Sequence, residues 1–328
     1  MPVLARLRHK NPRLLYFLKH AAKLCVPRPV WEARRDAAFR RLDSLPPAEQ
    51  AAIWARVDHY MKVREPFEVA AQFEPLRAWR MREQHNYHLD LLEHLRCFPG
   101  DLRVAYRFGD ETATPATPTL VKARPIEGDN RNSVLLKLNR IRHFNFVHDV
   151  RPFVDKQPKL VWRGRANRPH RLRFLERFHD HPLCDVGQAH HSRATPAFEK
   201  PFLGIHEQLA CKFVLSIEGN DVATNLKWIL SSNSLCFMVR PKFETWFLES
   251  RLVAGVHYVE LAEDYSDLDE KLRHYNAHTS EALQILNHAH AFVTQFLDRE
   301  REDLIALLVL QRYFELSGQA APRLRAAR

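Results

Sequence analysis

The chain has 328 residues, of which 45% are hydrophobic and 27% charged, and its formal net charge is +11. These values exclude a disordered polar chain and suit a globular protein with one large core or two medium ones, two domains being the better expectation. No apolar run reaches about 18 residues, and no apolar stretch followed by a small-residue cleavage site occurs near the start. The sequence therefore favours neither a transmembrane helix nor a secretory signal, and we expect a cytoplasmic protein.

The excess of positive charge predicts an anionic partner, which composition leaves open as nucleic acid, anionic lipid or a phosphorylated substrate. Much of the excess lies in residues 1–28 and in the last few residues. Between residues 11 and 26, one helical face carries Leu14, Phe17, Leu18, Ala21 and Cys25, and the opposite face carries Lys19, His20 and Lys23. Such a basic amphipathic helix either lies on an acidic membrane surface or docks on the domain behind it.

In the first half of the chain, the predicted helices and strands follow no regular alternation. Residues 46–95 are predicted to be mainly helical, and short strands are predicted at 102–106, 119–121 and 134–138. A domain boundary is predicted near residues 149–159, where charge and proline interrupt the apolar pattern.

From about Lys159 onward, apolar strand-like runs alternate with helical patterns. We predict strands at 160–162, 183–186, 213–217, 235–239 and 258–261, and helices at 171–178, 204–210, 222–231, 243–248 and 266–275. This alternation is typical of a parallel sheet covered by helices on both faces. Two further helices are predicted at 280–296 and 299–316.

A candidate phosphate-binding turn follows the predicted strand at 213–217. The residues Glu218, Gly219, Asn220 and Asp221 interrupt the apolar run, and Asn220 or Asp221 suits the N-cap of the next helix. The backbone N–H groups of Val222, Ala223, Thr224 and Asn225 would then point out of the carboxyl edge of the sheet, where an anion is stabilised. Lys227 would add a full charge. Taken alone, the segment fits an ordinary strand–turn–helix connection with a surface lysine equally well.

Four separated blocks of the chain resemble glycosyltransferase family 90. They are KLVWRGRANRPHR at 159–171, QLACKFVLSIEGNDVATNLKWILSSNSLCFM at 208–238, WFLESRLVAGVHYVELAEDYSDL at 246–268, and PTLVKARPIEGDNRNSVLLKLNRIRHFNFV at 118–147. The block at 118–147 is particularly similar to the bacterial lipopolysaccharide core glycosyltransferases of this family, which also includes protein O-glucosyltransferases and capsule xylosyltransferases. The order and spacing of the four blocks carry the resemblance.

The resemblance implies an α/β protein of GT-B architecture, in which two Rossmann-like domains face a cleft, with extra helices at both termini. It also implies inverting transfer from a UDP-sugar held mainly by the second domain. On this basis we divide the chain into a basic amphipathic N-terminal segment (1–40), an acceptor-side domain (41–155), a nucleotide-sugar-binding domain (156–296) and a C-terminal helix with a basic tail (297–328).

The resemblance also implies roles for individual residues. Asp110 in YRFGDET matches the catalytic aspartate of the family. Contacts with the donor nucleotide are implied for Arg165, Arg171, Val222, Ala223, Thr224, Asn225 and Lys227, and for Leu136 and Lys137 in a loop that lines the donor pocket. Glu218 is a candidate by position, because its carboxylate can accept hydrogen bonds from a ribose or cap the turn. Animal members carry arginine at the Lys227 position, so this chain loses possible bidentate contacts there.

The chemistry fits these roles. An aspartate near its ordinary pKa of about 3.9 is ionised at neutral pH and can take the proton of an acceptor hydroxyl. The departing UDP gains negative charge, which Arg171, Lys227 and a helix N-terminus would stabilise without a metal. In the donor half the only DxD-type pair is the DLD at 267–269, within a predicted surface helix. We therefore expect no obligatory metal or cofactor.

We predict a UDP-sugar-dependent glycosyltransferase that transfers a hexose, with glucose preferred, to a lipopolysaccharide core or lipid-linked oligosaccharide. It would lie at the inner face of the bacterial inner membrane, with residues 1–28 touching anionic lipid. The alternatives are a protein O-glycosyltransferase, and a non-catalytic protein that binds nucleic acid or acidic membrane on a decayed transferase fold. A nucleic-acid partner is not favoured, because no nucleic-acid module signature occurs. Zinc bound by His179, His181 and Cys184 is not favoured either, because the spacing matches no common structural site.

Overall fold

A computed structural model describes residues 13–80, 85–189 and 195–323 of the chain. The described chain forms two compact units. One holds Arg142–Pro241 and Glu249–Gln295, and we call it the sheet unit; the other, the helical unit, holds the described residues up to Ile141, then Lys242–Leu248, then those from Phe296 onward. Among the described residues, the chain passes from the helical unit to the sheet unit after Ile141, whereas the sequence suggested a boundary near residues 149–159. The four segments that we drew from the sequence stay a prediction.

The helices of the described ranges are α1 (Arg13–Leu24), α2 (Arg28–Ser44), α3 (Pro47–Tyr60), α4 (His85–Leu95), α5 (Arg140–His143), α6 (Pro169–Phe178), α7 (Ile205–Gln208), α8 (Leu226–Leu230), α9 (Leu268–Ala277), α10 (Thr279–Thr294) and α11 (Arg299–Leu316). The strands are β1 (Thr119–Val121), β2 (Ala123–Pro125), β3 (Ser133–Leu135), β4 (Gln157–Gly164), β5 (Cys184–Gln188), β6 (Cys211–Leu215), β7 (Leu235–Val239), β8 (Phe243–Thr245) and β9 (Val259–Leu261). None of these helices is both long and apolar enough to span a bilayer.

The sheet unit is built on a five-stranded parallel sheet with the order β5-β4-β6-β7-β9. The central strands β6 and β7 are short apolar runs that are buried along most of their length, as a sheet covered on both faces requires. Phe174, Phe213 and Phe237 lie in the core, together with Leu272 of α9 and Ile285 of α10. The parallel sheet predicted from the β-then-α alternation is confirmed, and each of its five strands overlaps a predicted one.

Two predicted elements of the chain are wrong. Residues 243–248, predicted as a helix, contain β8, which pairs antiparallel with β2. Buried Glu244 of β8 accepts a hydrogen bond from buried Arg124 of β2 at 2.8 Å, and this cross-strand pair outweighs the local helical pattern. Residues 102–106 form only one bridge, between Tyr106 and Leu120, because the N–H groups of Arg103 and Ala105 bond to side chains instead of a strand.

The helical unit contains two small strand pairs, β1 with β3 in parallel and β2 with β8 antiparallel. Helix α11 packs against α2, α3 and α4, and eleven of its residues are buried. The structure therefore shows a mixed α/β protein with a parallel sheet. A second Rossmann-like domain and the GT-B arrangement stay predictions.

Helix α1 is attached to the helical unit by its polar face. Tyr16 Oη donates to Asp90 Oδ1 at 2.6 Å, His20 is 6% exposed, and the Lys23 ammonium pairs with Glu93. Arg140 reaches the same two carboxylates, with Nε 2.7 Å from Asp90 Oδ1 and a second nitrogen on Glu93. Because both carboxylates are almost fully buried, these cations are needed to offset the cost of burying them.

Burial alone would raise the pKa of Glu93, but Arg140, His94 and Lys23 together lower it well below its usual range. Ionised Glu93 therefore stabilises the fold above the ordinary glutamate pKa of about 4.3, and this contribution is lost as the pH falls below that value. We expect Glu93→Gln to lower the free energy of unfolding at pH 7 by about 3–5 kcal/mol. The difference from wild type should shrink below about pH 4.

Urea unfolding at pH 7 and at pH 3.5 measures this difference. Exposed Glu270 supplies the matched control, Glu270→Gln, which should change the free energy of unfolding by less than about 0.5 kcal/mol. An equal loss in both variants would contradict the role given to the cluster.

Candidate anion-binding site

The strand order of the sheet unit reverses between β4 and β6. Numbered along the chain, the five strands lie in the order 2-1-3-4-5, a doubly wound arrangement in which connections leave β4 toward opposite sides. In open sheets of this kind, ligands bind outside the carboxyl ends of the strands at the reversal. Here those ends are Gly164 of β4 and Leu215 of β6, so the candidate site consists of the loops that follow them.

Arg171 of α6 joins these two loops. Its Nε donates to the Glu218 carbonyl oxygen at 3.0 Å, one terminal nitrogen to the Ile217 carbonyl at 2.9 Å, and the other to the Arg165 carbonyl at 3.2 Å. The guanidinium also lies over the Trp162 ring, 5.8 Å from its centroid. A guanidinium has five N–H donors, so these three bonds leave it able to donate to a ligand.

The positive charge at this edge has no carboxylate partner in the parts of the chain that the structure describes. Arg142, Arg165, Arg168 and Arg171 make no ion pair there. Burial lowers the pKa of Arg171, the nearby Tyr265 acts in the opposite direction, and the charges of Arg168 and Arg142 lower it further. Like charges gathered without a counter-charge favour an anionic ligand, because such a ligand would relieve their repulsion.

The turn after β6 adds backbone donors. Within the described ranges, the N–H groups of Val222, Ala223, Thr224 and Asn225 donate no hydrogen bond. The predicted helix start is wrong, because α8 begins only at Leu226 with Asn225 as its N-cap. Asn225 is fixed there by Nδ2, which donates to the Leu215 carbonyl at 2.9 Å, and by Oδ1, which accepts from Ser216 Oγ at 3.2 Å. The four N–H groups thus belong to a turn, and successive turn N–H groups form a concavity suited to anions.

Gly219 allows the close approach of this turn to Arg171. A Cβ atom at Gly219 would lie 3.3 Å from a terminal nitrogen of Arg171, tighter than most side-chain contacts. The Glu218 carbonyl accepts from both Arg171 and His170 Nε2, the latter at 2.9 Å. Through its backbone, Glu218 therefore helps to hold the turn; a ribose contact of its carboxylate stays a prediction.

Lys227 lies in an environment that the sequence did not indicate. It is fully buried in α8, and its ammonium pairs with the equally buried carboxylate of Glu249. The ring of Phe144 lies 5.7 Å from the same ammonium. The simplest interpretation of the segment, a surface lysine, is therefore wrong. The contact of Lys227 with a diphosphate stays a prediction.

The helical unit holds the candidate base, Asp110. It follows Gly109, whose φ of +119° is a conformation that residues with side chains rarely adopt. Lys122 Nζ lies 2.6 Å from Asp110 Oδ1, and the lysine side chain is 1% exposed whereas that of the aspartate is 30% exposed. The ammonium favours the ionised carboxylate and restricts its orientation, while the aspartate remains accessible to solvent.

Leu136 and Lys137, predicted to line the donor pocket, lie after β3 in the helical unit. Leu136 is 2% exposed and its N–H bonds to the Val121 carbonyl at 3.1 Å. Lys137 Nζ lies 2.9 Å from Glu302 Oε2, and Glu302 also pairs with Arg56 at 2.6 Å. Burial lowers the pKa of Lys137, and Glu302 partly offsets this effect. Leu136 thus lies in the core of this unit, and Lys137 is held there by an ion pair. The donor contacts of both residues stay predictions.

One group of described side chains has the composition of a metal site. His274, His278 and Glu281 are exposed, and their ligand atoms lie within 4.8 Å of one another. His274 Nε2 lies 2.8 Å from Glu281 Oε2 at the start of α10. This contact between the two side chains explains why the three residues lie close together.

The structure is that of an α/β protein whose doubly wound sheet carries, within the described residues, unpaired arginines and unbonded turn N–H groups at its strand reversal, an arrangement suited to an anionic ligand. The model of glycosyl transferase family 90 matches residues 139–324, which include this whole site. The chain belongs to glycosyltransferase family 90, and the resemblance drawn from the four sequence blocks is confirmed.

Two relatives extend this comparison. The chain is 43% identical over 305 residues to the O-glucosyltransferase LpsA of Dichelobacter nodosus, covering 93% of this chain and 96% of the relative. It is 24% identical over 169 residues to the protein O-glucosyltransferase 3 of Rattus norvegicus, covering 50% of this chain but 33% of that protein. Glycosyl transfer is therefore the activity class of the family and of both relatives.

Sequence reasoning missed several residues of these sites. Arg142 lies in LNRIRHF, where its charge was visible but its proximity to Arg171, 29 positions later, was not. Lys122 stands between apolar residues in TLVKARP, and a charged residue inside a buried strand pattern signals an ionic partner. Glu249 gave no signal, because its pairing with Lys227 joins residues 22 positions apart.

The buried Lys227–Glu249 pair allows a structural role to be separated from a ligand-binding one. We expect Lys227→Met to lower the free energy of unfolding by about 3–5 kcal/mol, because it leaves Glu249 buried without this cation. The double variant Lys227→Met/Glu249→Leu should recover most of that loss, since an apolar pair replaces an ion pair at little cost. Urea unfolding measures both values.

The more exposed pair Arg273–Asp269 supplies the control, and Arg273→Met should cost less than about 1 kcal/mol. If the double variant stays as unstable as Lys227→Met, the burial argument is wrong. If it is stable and binds UDP as wild type does, Lys227 has no part in binding the diphosphate.

Proposed function

We propose that this protein is an inverting glycosyltransferase that moves glucose from a UDP-sugar to a hydroxyl group of a lipopolysaccharide core sugar. The observation that carries the proposal is the group of four arginines at the strand reversal, which has no carboxylate partner among the described residues. The diphosphate of a nucleotide sugar supplies the negative charge that this group lacks. Glucose is favoured by the names of both relatives. The lipopolysaccharide acceptor rests on the similarity of residues 118–147 to the bacterial branch, and the GT-B architecture rests on family membership.

On the donor side, Arg171 would bind the diphosphate with the donors that its three carbonyl contacts leave over. Because those contacts fix the guanidinium plane, little side-chain entropy is lost when the ligand binds. The N–H groups of Val222 to Asn225 would add neutral donors. Negative charge grows on the departing UDP as the bond to the sugar breaks, so these groups lower the barrier when they bind the leaving group more tightly than the substrate.

On the acceptor side, Asp110 would act as general base. Its carboxylate takes the proton of the acceptor hydroxyl while that oxygen attacks the anomeric carbon, and the bond from that carbon to the β-phosphate oxygen breaks to release UDP. Attack opposite the leaving group inverts the anomeric configuration. Lys122 would keep the carboxylate ionised and oriented before the proton transfer. No obligatory metal forms part of this proposal.

The structure allows a sharp test of the arginine group. We expect UDP to raise the melting temperature of the wild-type protein, and duplex DNA to leave it unchanged. Arg171→Ala should weaken UDP binding about 10- to 100-fold, because a charge-assisted hydrogen bond contributes about 1.5–3 kcal/mol. Exposed Arg173 lies on the same helix, and Arg173→Ala should bind UDP within about 2-fold of wild type.

Calorimetric titration with UDP measures these affinities. The variant Arg171→Lys keeps the positive charge but lacks the forked guanidinium, so it separates the contributions of charge and geometry to UDP binding. A melting temperature raised by DNA but not by UDP would overturn the transferase proposal in favour of a non-catalytic anion-binding protein.

The Asp110–Lys122 pair makes a separate prediction. Asp110→Asn should reduce turnover by about 10²- to 10⁴-fold, the usual contribution of a general base, and leave UDP affinity unchanged. Lys122→Met should reduce turnover less, because the carboxylate remains but loses the ammonium that holds its orientation. The exposed Asp129, paired with Arg131, supplies the neutral control Asp129→Asn.

The assay supplies a panel of UDP-sugars with isolated core oligosaccharide and follows product formation and anomeric configuration. Wild-type turnover should be highest with UDP-glucose. Turnover retained in Asp110→Asn would remove this residue from the mechanism, and transfer to a peptide but not to core oligosaccharide would favour a protein acceptor.

A further inference from the structure

Helix α1 presents its apolar face to solvent. Leu15 is 47% exposed, Phe17 38% and Leu18 57%, and Ala22 and Cys25 are exposed as well. Leu15, Leu18 and Ala22 recur at the spacing of one helical stripe, Cys25 continues that spacing just after the end of α1, and Phe17 is exposed beside them. Four of the ten large exposed hydrophobic residues of the described chain lie between residues 15 and 30, the fourth being Val30. We call the set Leu15, Phe17, Leu18, Ala22 and Cys25 the apolar stripe.

This orientation is the reverse of an ordinary surface helix, which buries its apolar side. The side opposite the apolar stripe carries Tyr16, His20 and Lys23, and these residues contact Asp90 and Glu93 of α4. The Arg96 side chain also donates to the Lys23 carbonyl. These polar contacts fix the orientation of α1, so the stripe cannot turn inward without breaking buried ion pairs.

The charge around the stripe selects its partner. The first acidic residue of the chain is Glu32, and residues 1–31 contain seven lysines and arginines. Lys19 is exposed on α1 itself, next to Leu18. A second copy of the chain would bring the same positive charge against this surface and be repelled. Nucleic acid matches the charge but offers little to an apolar stripe. An anionic bilayer surface matches both, because it accepts apolar side chains below a layer of negative headgroups.

We propose that the apolar stripe of α1 inserts into the surface of a membrane that contains anionic lipid and thereby holds the protein on that membrane. At 12 residues, α1 is about 18 Å long and suits a helix lying flat in the interface. The Lys19 ammonium would lie at the level of the lipid phosphates. The inference complements the proposed function, because a lipid-linked acceptor would lie at the same surface, but lipid binding is measured without any sugar.

Vesicle co-sedimentation of the full chain tests the proposal. Wild-type protein should bind vesicles of phosphatidylcholine with about one third phosphatidylglycerol, and should bind pure phosphatidylcholine at least roughly tenfold more weakly. Leu15→Ser/Leu18→Ser should lose at least roughly tenfold in affinity for the anionic vesicles, because each leucine no longer transfers apolar surface from water. Both residues are exposed in the folded protein, so the melting temperature of this variant should stay at the wild-type value.

Two exposed leucines elsewhere provide a matched control. Leu283 is 40% exposed and Leu297 54%, and Leu283→Ser/Leu297→Ser should bind vesicles as wild type does. Equal losses in the two double variants, or equal binding to both kinds of vesicle, would overturn the proposal. It would also be overturned if wild-type protein ignored vesicles and sedimented as a dimer that Leu15→Ser/Leu18→Ser dissociates. Failure of sugar transfer with intact vesicle binding would refute the proposed function and leave this inference standing.

Discussion

The guanidinium of Arg171 fixes the candidate site, because it bonds to backbone carbonyls of the loops after both β4 and β6. Those strands flank the point where the order of the sheet reverses. A cation bound to neutral carbonyls keeps its full charge, whereas a cation bound to a carboxylate presents a neutral pair to its surroundings. One side chain therefore both joins the loops and makes the edge of the sheet positive. Gly219 favours this arrangement, because a Cβ atom there would lie 3.3 Å from a terminal nitrogen of the guanidinium.

The charged side chains described above fall into two groups. Lys227 with Glu249, and Arg140 with Asp90 and Glu93, are closed ionic contacts that hold segments of one unit together. The arginines at the strand reversal have no such partner among the described residues. A side-chain charge that is neutralised in an ion pair attracts a ligand less strongly. Lys227, which resembled a phosphate contact in sequence, shows that a basic residue in such a motif can also have a buried carboxylate partner.

The sequence predicted the parallel sheet and the family because both depend on local patterns, namely apolar strands at regular spacing and ordered blocks of residues. It failed where distant residues decide the structure. The strand β8 forms because Glu244 meets Arg124, which lies 120 positions earlier. Helix α8 starts late because Asn225 bonds to the end of β6. The polar attachment of α1 required knowledge of Asp90 and Glu93, which periodicity alone does not supply.

The position of α11 has a consequence for synthesis of the protein on the ribosome. The helical unit begins with the first described residues but is completed by residues from Phe296 onward, and α11 supplies eleven buried residues to it. The core of the helical unit therefore cannot be completed, and part of its apolar surface stays exposed, until the intervening sheet unit has been translated. A nascent chain stalled before α11 would carry all the strands of the sheet and yet lack a finished core in the helical unit, so such fragments are expected to depend on chaperones or to be degraded.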